Sequence, residues 1–533
     1  MFWADKIAAD AQGDAIVVND SKTPSGRVHV GSVRGVIIHD TIYRALKQAD
    51  KPVKFTYGVD DYDAFDTVPH YLDREKFEPY LGEPLCNVPS PAPEAEDYAK
   101  HFMTEFLDVF ADLGVRPDVY YLRDLYRSGQ MNPYIDKFLQ NAHLVRESYK
   151  EVSKAERPDN WYPFQAICEK CRKIATTEVT DYKDGKIFYF CNPNATDYTQ
   201  GCGYSGWMSP MDGNGKLPWK VEWVAKWELV GVTIELAGKD HSQKGGSRDV
   251  ANSICRKVLR KKPPYHAPYE FILVNGTKMS SSKGVGSSAK DMAALLPPEL
   301  LRFLMLRTPP KTVINFSPNY ETITRLFRDY DNLVARYGKA IAENDGQAPE
   351  LTDDWMSLYY SQIEDEIVPY QPFDFSTLIS LLQLPHLDIN SEVDSRSGGT
   401  LSEDDWEVAR QRIAVAQKWL DDYADEEDKL VLYVDSIPDK AEDLKPEQVQ
   451  YLQALLENLQ GVDAWNGETL QTTLFSTAKQ LELKMPIAFQ SVYRSFLNKD
   501  RGPKAGPLLS YLNAELVRDR IEAVIALNSA PTA

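Results

Sequence analysis

No apolar run in this 533-residue chain reaches the roughly 18 residues that a membrane-spanning helix needs. An excess of positive charge is missing as well. Lysine and arginine number 60 against 79 aspartates and glutamates, a formal net charge of −19. That argues against a protein coated in nucleic acid, although a local basic face remains compatible with it. Cysteine is scarce: there are six, four of them between Cys168 and Cys202, with Cys86 and Cys255 apart. Such clustering in a long chain points to a metal rather than a disulfide framework. Internal repeats are absent. The opening residues MFWADKIAADAQGD carry three early acids and no apolar stretch, so a secretory leader is not expected and the cytoplasm is the default location.

What is present reads as an α/β chain followed by a helical one. AIVVND (residues 15–20) has the composition of a buried strand. VRGVIIHDTIYRALKQ places Val36, Ile37, Ile42, Ala45 and Leu46 on one helical face, and VKFTYGVDD is a second strand running into acids. That is a strand–helix–strand unit. The pattern returns later: VEWVAKWEL is helical, VTIELAG a strand, GGSRDVANSICRKVLR helical and YEFILVNG a strand. The expected architecture is a Rossmann-type parallel sheet, interrupted by an insertion and followed by an all-α half. The expected boundaries are 1–68 for the first half of the sheet domain and 69–215 for the insertion, with a zinc-ribbon-like segment at 161–207. The second half of the sheet domain then covers 216–296, a helical connecting domain 297–394 and a helical anticodon-binding domain 395–533.

Two short stretches carry candidate chemistry. TPSGRVHVGS (residues 23–32) places His29 and Gly31 where a strand gives way to a helix. Glycine there lets phosphate oxygens approach backbone N–H groups and the positive helix end. NGTKMSSSKG (residues 275–284) packs two lysines and three serines into residues 278–283, which suits a triphosphate gaining charge in its transition state. Either stretch alone is an ordinary polar turn. Both fall at strand ends of one expected sheet, the edge at which open α/β sheets bind ligands.

Together they resemble the HIGH and KMSKS signatures of the class I aminoacyl-tRNA synthetases. His29 and Gly31 match the first signature, which departs at Ser32. Lys278, Met279, Ser280 and Ser282 match the second, in which Ser281 replaces a lysine and Lys283 follows two residues later. TPSGRVHVGS, DDYDAFDTVP, YPFQAICEKC, LPWKVEW, GKDHSQKGGS, KMSSSKG and RGPKAGP, in that order, are similar to landmarks of class I lysyl-tRNA synthetase along essentially the whole chain. The resemblance implies activation of L-lysine by ATP and Mg²⁺ to lysyl-adenylate, then transfer to the 3′ end of tRNA(Lys). The alternatives are another class I synthetase, such as the glutamyl enzyme, or a synthetase-like RNA-binding protein without catalysis. It implies catalytic roles for His29, Lys278 and Lys283. ATP contacts fall to Gly26, His29, Gly31, Ser32, Gly238, Asp240 and residues 278–283: Lys278, Met279, Ser280, Ser281, Ser282 and Lys283. Lysine itself needs apolar walls and an acceptor for its ammonium. Ser21, Thr23, Tyr57, Asp61, Trp223 and His241 are the candidates. Trp219, Trp223 and Trp227 recur every four residues, a stripe that ordinarily belongs to a core. A monomer is the family-like expectation.

Cys168 and Cys171 form a C-x₂-C knuckle, and Cys191 and Cys202 follow at a wider spacing. No histidine lies between His143 and His241, so the local option is an all-cysteine structural Zn²⁺ site. Near the C-terminus Arg494, Arg501 and Lys504 surround a Gly-Pro turn. Read without the resemblance they are a solvated basic face; with it they are candidates for tRNA contact. The acidic stretch before them is expected to orient RNA by repulsion.

Overall fold

A computed structural model describes residues 1–274, 288–384, 387–433, 435–502 and 504–529. It divides into two compact units, Met1–Ser317 with Asn332–Pro369, and Pro318–Asp331 with Tyr370–Ala533.

The first unit is built on parallel strands. β1 (Ile16–Lys22) pairs in parallel with β2 (Val53–Val59), and β2 with β3 (Asp118–Tyr121). Ile16 and Val18 on β1 and Phe55, Tyr57 and Val59 on β2 are buried, as expected where helices cover a parallel sheet. The crossover from β1 to β2 is the helix Gly31–Gln48, whose Val33, Val36, Ile37 and Ile42 are buried. On the other side of β1, Ile234 bridges Val18 and then Tyr265, both in parallel. Two short parallel pairs follow, Ala237–Gly238 with Pro268–Tyr269 and Ile272–Val274 with Ile314–Phe316.

Two sequence readings are refined here. The expected strand YEFILVNG is split at residues 270 and 271. Buried Arg34 of the crossover helix donates to the carbonyls of Glu270 (2.8 Å), Phe271 (3.0 Å) and Thr312 (2.8 Å), fastening the helix to the sheet edge. Among the described residues after 297, helices joined by loops are interrupted by one strand, Ile314–Phe316, which pairs with Ile272–Val274.

Between β2 and the returning sheet lie helices such as Tyr98–Asp112 and a small antiparallel sheet, Thr177–Lys183, Lys186–Cys191 and Ser205–Met208. The second unit is a helical array around a core that includes Leu452, Leu455, Leu470, Leu474, Val492 and Phe496. Its helices carry recognisable caps: Ser402 and Asp405 close a capping box on Glu403–Asp422, and Asn466 caps Gly467–Gln480.

Candidate active site

The first unit contains a cavity of about 560 Å³ at the C-terminal ends of β1 and β2. Parallel strands bring their carboxyl ends to one edge, and the crossover helix starts there with its N-terminus exposed to the cavity. His29, Gly31 and Ser32 line it. Ser32 N–H donates to the His29 carbonyl (3.0 Å), turning the chain into the helix at Gly31. Gly26 adopts φ +149°, a conformation that favours glycine, but its place is in the approach to the turn and outside the cavity lining. Gly238, Asp240 and His241 also line the cavity. A Cβ on Gly238 would meet no protein atom closer than 3.9 Å, so the fold itself leaves room there. Lys278, Met279, Ser280, Ser281, Ser282 and Lys283 lie outside the described residues. The described chain leaves the sheet at Val274 and is found again at Ser288, which bridges His29, with Ala289 N–H donating to the Val28 carbonyl (2.8 Å).

At the other end of the cavity, acids and lysines interlock. Asp60 accepts from Lys226 Nζ (2.6 Å) and from Ser21 Oγ (3.1 Å), and Lys226 also reaches Ser21 Oγ (3.3 Å). Asp63 accepts from Thr23 Oγ1 (2.6 Å) and pairs with Lys216, which pairs in turn with Glu222 (3.0 Å). Burial lifts the Glu222 carboxyl to about 7 despite the Lys216 ammonium beside it. Thus Ser21 and Thr23 do border the cavity, each tied to an acid of the β2 turn.

Asp61 does not. It is fully buried, accepting from Arg123 N–H (2.9 Å) and pairing with the Arg123 guanidinium, which also holds Asp97, the N-cap of Tyr98–Asp112. Burial pushes its carboxyl up to about 6 even so. Its neighbours Asp60 and Asp63 face the cavity; the turn after β2 points Asp61 away from them, into the protein.

The tryptophan stripe runs from rim to core. Trp219 is 42% exposed, Trp223 9% and Trp227 4%, and the first two line the cavity. Trp223 Nε1 and Trp227 Nε1 both donate to Glu235 (2.6 and 2.5 Å), which also accepts from Asn19 Nδ2 (2.6 Å) and pairs with Arg248 (3.3 Å). His241 packs edge-on against Trp219, ring centroids 5.5 Å apart. Tyr57 lines the same wall, its phenol pushed well up by burial.

Sequence reasoning passed over Asp20, Lys22, Glu222, Lys226 and Glu235. Glu235 did carry a signal: an acid within the apolar run VTIELAG is costly to bury and so implies built-in partners. For Lys226, on a tryptophan-rich helix, the sequence offers none.

Away from the cavity, the sulfurs of Cys168, Cys171, Cys191 and Cys202 all lie within 4.8 Å of one another. Two of the spacings are 3.6 Å, Cys168 to Cys202 and Cys171 to Cys191. Four thiolates about 2.3 Å from one Zn²⁺ stand roughly 3.8 Å apart at the corners of a tetrahedron, so the set fits a metal. The knuckle closes through Arg172 N–H to the Cys168 carbonyl (2.8 Å), with Arg172 at φ +63°. Burial raises the Cys168 thiol, but N–H groups of Cys171 and Lys170 outweigh it and leave the thiol below its ordinary value. Cys191 and Cys202 need no second short knuckle. Cys191 ends a strand, and the chain returns through Gly203, whose N–H donates to the Cys191 carbonyl (2.9 Å).

In the second unit Arg494 is engaged internally, donating to Asp500 (2.7 Å) and to the Asp443 carbonyl (2.8 Å), whereas Arg501 and Lys504 are exposed.

Comparison with known proteins bears on both units. The family model for class I (K) tRNA synthetases matches residues 1–355, and that for an anticodon-binding domain matches residues 418–525. The lysine–tRNA ligase of Archaeoglobus fulgidus is 31% identical over 531 residues, covering 98% of this chain and all of that protein. That of Thermoplasma volcanium is 32% identical over 530 residues, covering 99% of this chain and all of the relative. Among solved structures, a glutamate tRNA ligase from Elizabethkingia meningosepticum aligns over 96% of this chain and 99% of its own. Its identity is 14% and its TM-score 0.41, a likeness too loose to argue from.

Proposed function

Because this chain belongs to the class I (K) tRNA synthetases, we propose that it is a lysine–tRNA ligase and that the cavity at the ends of β1 and β2 is where lysine meets ATP. The carboxylate of lysine attacks the α-phosphate of ATP, lysyl-adenylate forms, pyrophosphate leaves, and the lysyl group then moves to the 3′ end of tRNA(Lys). The substrate carboxylate is already ionised, so positioning and charge stabilisation carry the catalysis. His29, Gly31 and Ser32 receive the phosphates at the helix N-terminus, together with Lys278 and Lys283, and Mg²⁺ accompanies the triphosphate. Gly238, Asp240 and His241 border the remaining space, and Trp223 and Tyr57 supply apolar wall. The cysteine cluster holds a structural Zn²⁺. Residues 418–525, with Arg501 and Lys504 exposed within them, meet the anticodon arm. The reaction is assigned to the cytoplasm; no helix among the described residues is long and apolar enough to cross a membrane.

One observation supports lysine in particular. Most acids of the cavity already have a cation: Asp60 has Lys226, Asp63 and Glu222 share Lys216, Glu235 has Arg248, and Glu270 has Lys239. Asp20 accepts from Ser21 N–H (2.9 Å), and His39 Nδ1 stands 3.6 Å from its carboxylate. The His39 ring is engaged on both sides: Nε2 accepts from Leu236 N–H (3.0 Å) and Nδ1 lies 2.7 Å from the Gly35 carbonyl. Among the described residues no ammonium or guanidinium stands within 4 Å of Asp20. It is a half-buried carboxylate whose pKa is raised by desolvation, suited to a cation that arrives with the substrate. The test is ATP–pyrophosphate exchange with lysine and with glutamate, each with and without tRNA. Lysine-driven exchange is expected; exchange driven by glutamate alone rejects the assignment, and none at all favours a non-catalytic RNA-binding protein.

A further inference from the structure

Seven carboxylates line the cavity, but only two lysines, Lys22 and Lys226. Lys226 is committed to Asp60. Lys22 is not committed: among the described residues no carboxylate lies within 4 Å of its ammonium. It is the last residue of β1, next to Thr23 and in the same cavity as His29, Gly31 and Ser32. A lysine with a long flexible stem ordinarily turns its ammonium out to water or into an ion pair. Here the side chain stays at the cavity wall, where burial depresses its pKa while Asp20 and Asp60 oppose the shift.

Building on the assignment of lysine activation to this cavity, we propose that Lys22 is a catalytic residue of that step, its ammonium hydrogen-bonded to the α-phosphate of ATP as the lysine carboxylate attacks. Two anions must approach to bonding distance inside a wall already crowded with carboxylates, and their repulsion opposes the reaction at every step of the approach. A fixed cation at their junction offsets it, and offsets it most when charge on the phosphorane oxygens is greatest. The strand geometry suits this role. Alternate residues of a strand share a face, so Asp20 and Lys22 stand on one side of β1 about 6.6 Å apart. An extended lysine lying along that face directs its ammonium to Asp20 and its carboxylate toward Lys22. A bond forms between a carboxylate oxygen and the α-phosphorus, the bond from that phosphorus to the bridging oxygen breaks, and pyrophosphate departs with the electron pair. Lys22 keeps its proton throughout.

The test compares Lys22→Met and Lys22→Arg with the wild-type protein in lysine-dependent ATP–pyrophosphate exchange. Removing a donor of this kind is expected to lower kcat by about 10²–10³-fold, with the KM for lysine little changed and most of the rate restored by arginine. Binding of lysinol and of lysinol-adenylate is measured alongside. Lys22→Met should weaken the adenylate analogue, which carries the α-phosphate, and leave lysinol unaffected. An exchange rate for Lys22→Met close to that of wild type overturns the proposal, as does an equal loss of both ligands, which marks a structural role. Wild-type protein that activates another amino acid but not lysine refutes the functional assignment instead, and Lys22 is then tested with that amino acid.

Discussion

The two units bury charge to different ends. In the helical unit Arg412, Asp331 and Tyr370 form a closed triad: Arg412 donates to Asp331 (2.6 Å) and to Tyr370 Oη (2.6 Å), and Tyr370 Oη donates to Asp331 (2.8 Å). The three groups bond one another in an interior rich in aromatic rings, where the Arg412 guanidinium also lies over Phe327, 5.1 Å from the ring centroid. In the sheet unit, Lys226, Asp60, Lys216, Asp63 and Glu222 interlock in much the same way, yet Asp20 and Lys22 beside them are left without a countercharge of their own. A closed network holds a fold together; the open one at the cavity wall is where we propose that the lysine zwitterion binds. The difference is read from which partners are present, since both units bury carboxylates beside cations.

The largest effect that sharpens this contrast lies in a third kind of cluster, which is closed only when metal completes it. Cys171→Ser is expected to abolish stoichiometric zinc and the cooperative unfolding of the small antiparallel sheet, followed by metal analysis and circular dichroism. Full retention of metal would remove Cys171 from the proposed ligand set. Next comes Arg412→Met, which strands Asp331 in the helical unit. A loss of about 3–5 kcal/mol in urea unfolding is expected, with lysine-dependent exchange unaltered under native conditions. A fall in exchange rate at full stability would show that the triad is not merely structural.

Asp20→Asn tests the open side. Losing a charge-assisted bond worth roughly 1.5–3 kcal/mol raises the KM for lysine on the order of 10–150-fold, with stability unchanged or slightly improved because a desolvated carboxylate is gone. An unaltered KM would move the ammonium site elsewhere. The smallest effect concerns His266, whose ring lies 3.0 Å from Ser242 Oγ and is pushed down to about 4, chiefly by burial. Its ordinary value is near 6.5. Between those two values the unfolded chain binds the proton and the native one does not. This histidine therefore adds stability above about pH 6.5 that is lost as the pH falls toward 4. His266→Gln should flatten the rise in stability between pH 5 and 7; identical pH slopes would exclude the histidine as a source.

Much of this was legible in the chain. Apolar runs ending in polar residues announced β1 and β2, because a strand covered on both faces has no other way to be composed. The His29–Gly31 turn and the C-x₂-C knuckle are local devices, each formed by residues a few positions apart, so short stretches disclose them. Asp61 shows the limit. Asp60, Asp61 and Asp63 are indistinguishable in sequence, and only the position of Arg123, 62 residues on, turns the middle one inward. The tryptophan stripe was ambiguous for the same reason: its period is that of a helix face, and whether that face meets core or cavity depends on Glu235 and His241 coming to lie against it.

The sequence by itself therefore determined the strand and helix periods, the His29–Gly31 turn at the helix start, the cysteine set and, through landmarks along its length, the family. The tertiary structure alone decided which charges are spent on one another and which remain for a ligand. Secondary structure follows from neighbours along the chain, whereas the charge state and availability of Asp20, Lys22, Asp60 and Asp63 follow from groups brought within hydrogen-bond reach from distant segments. At those separations the Coulomb energy of a charge pair changes by about 1–2 kcal/mol over an ångström or two, and no spacing in the sequence encodes such a distance.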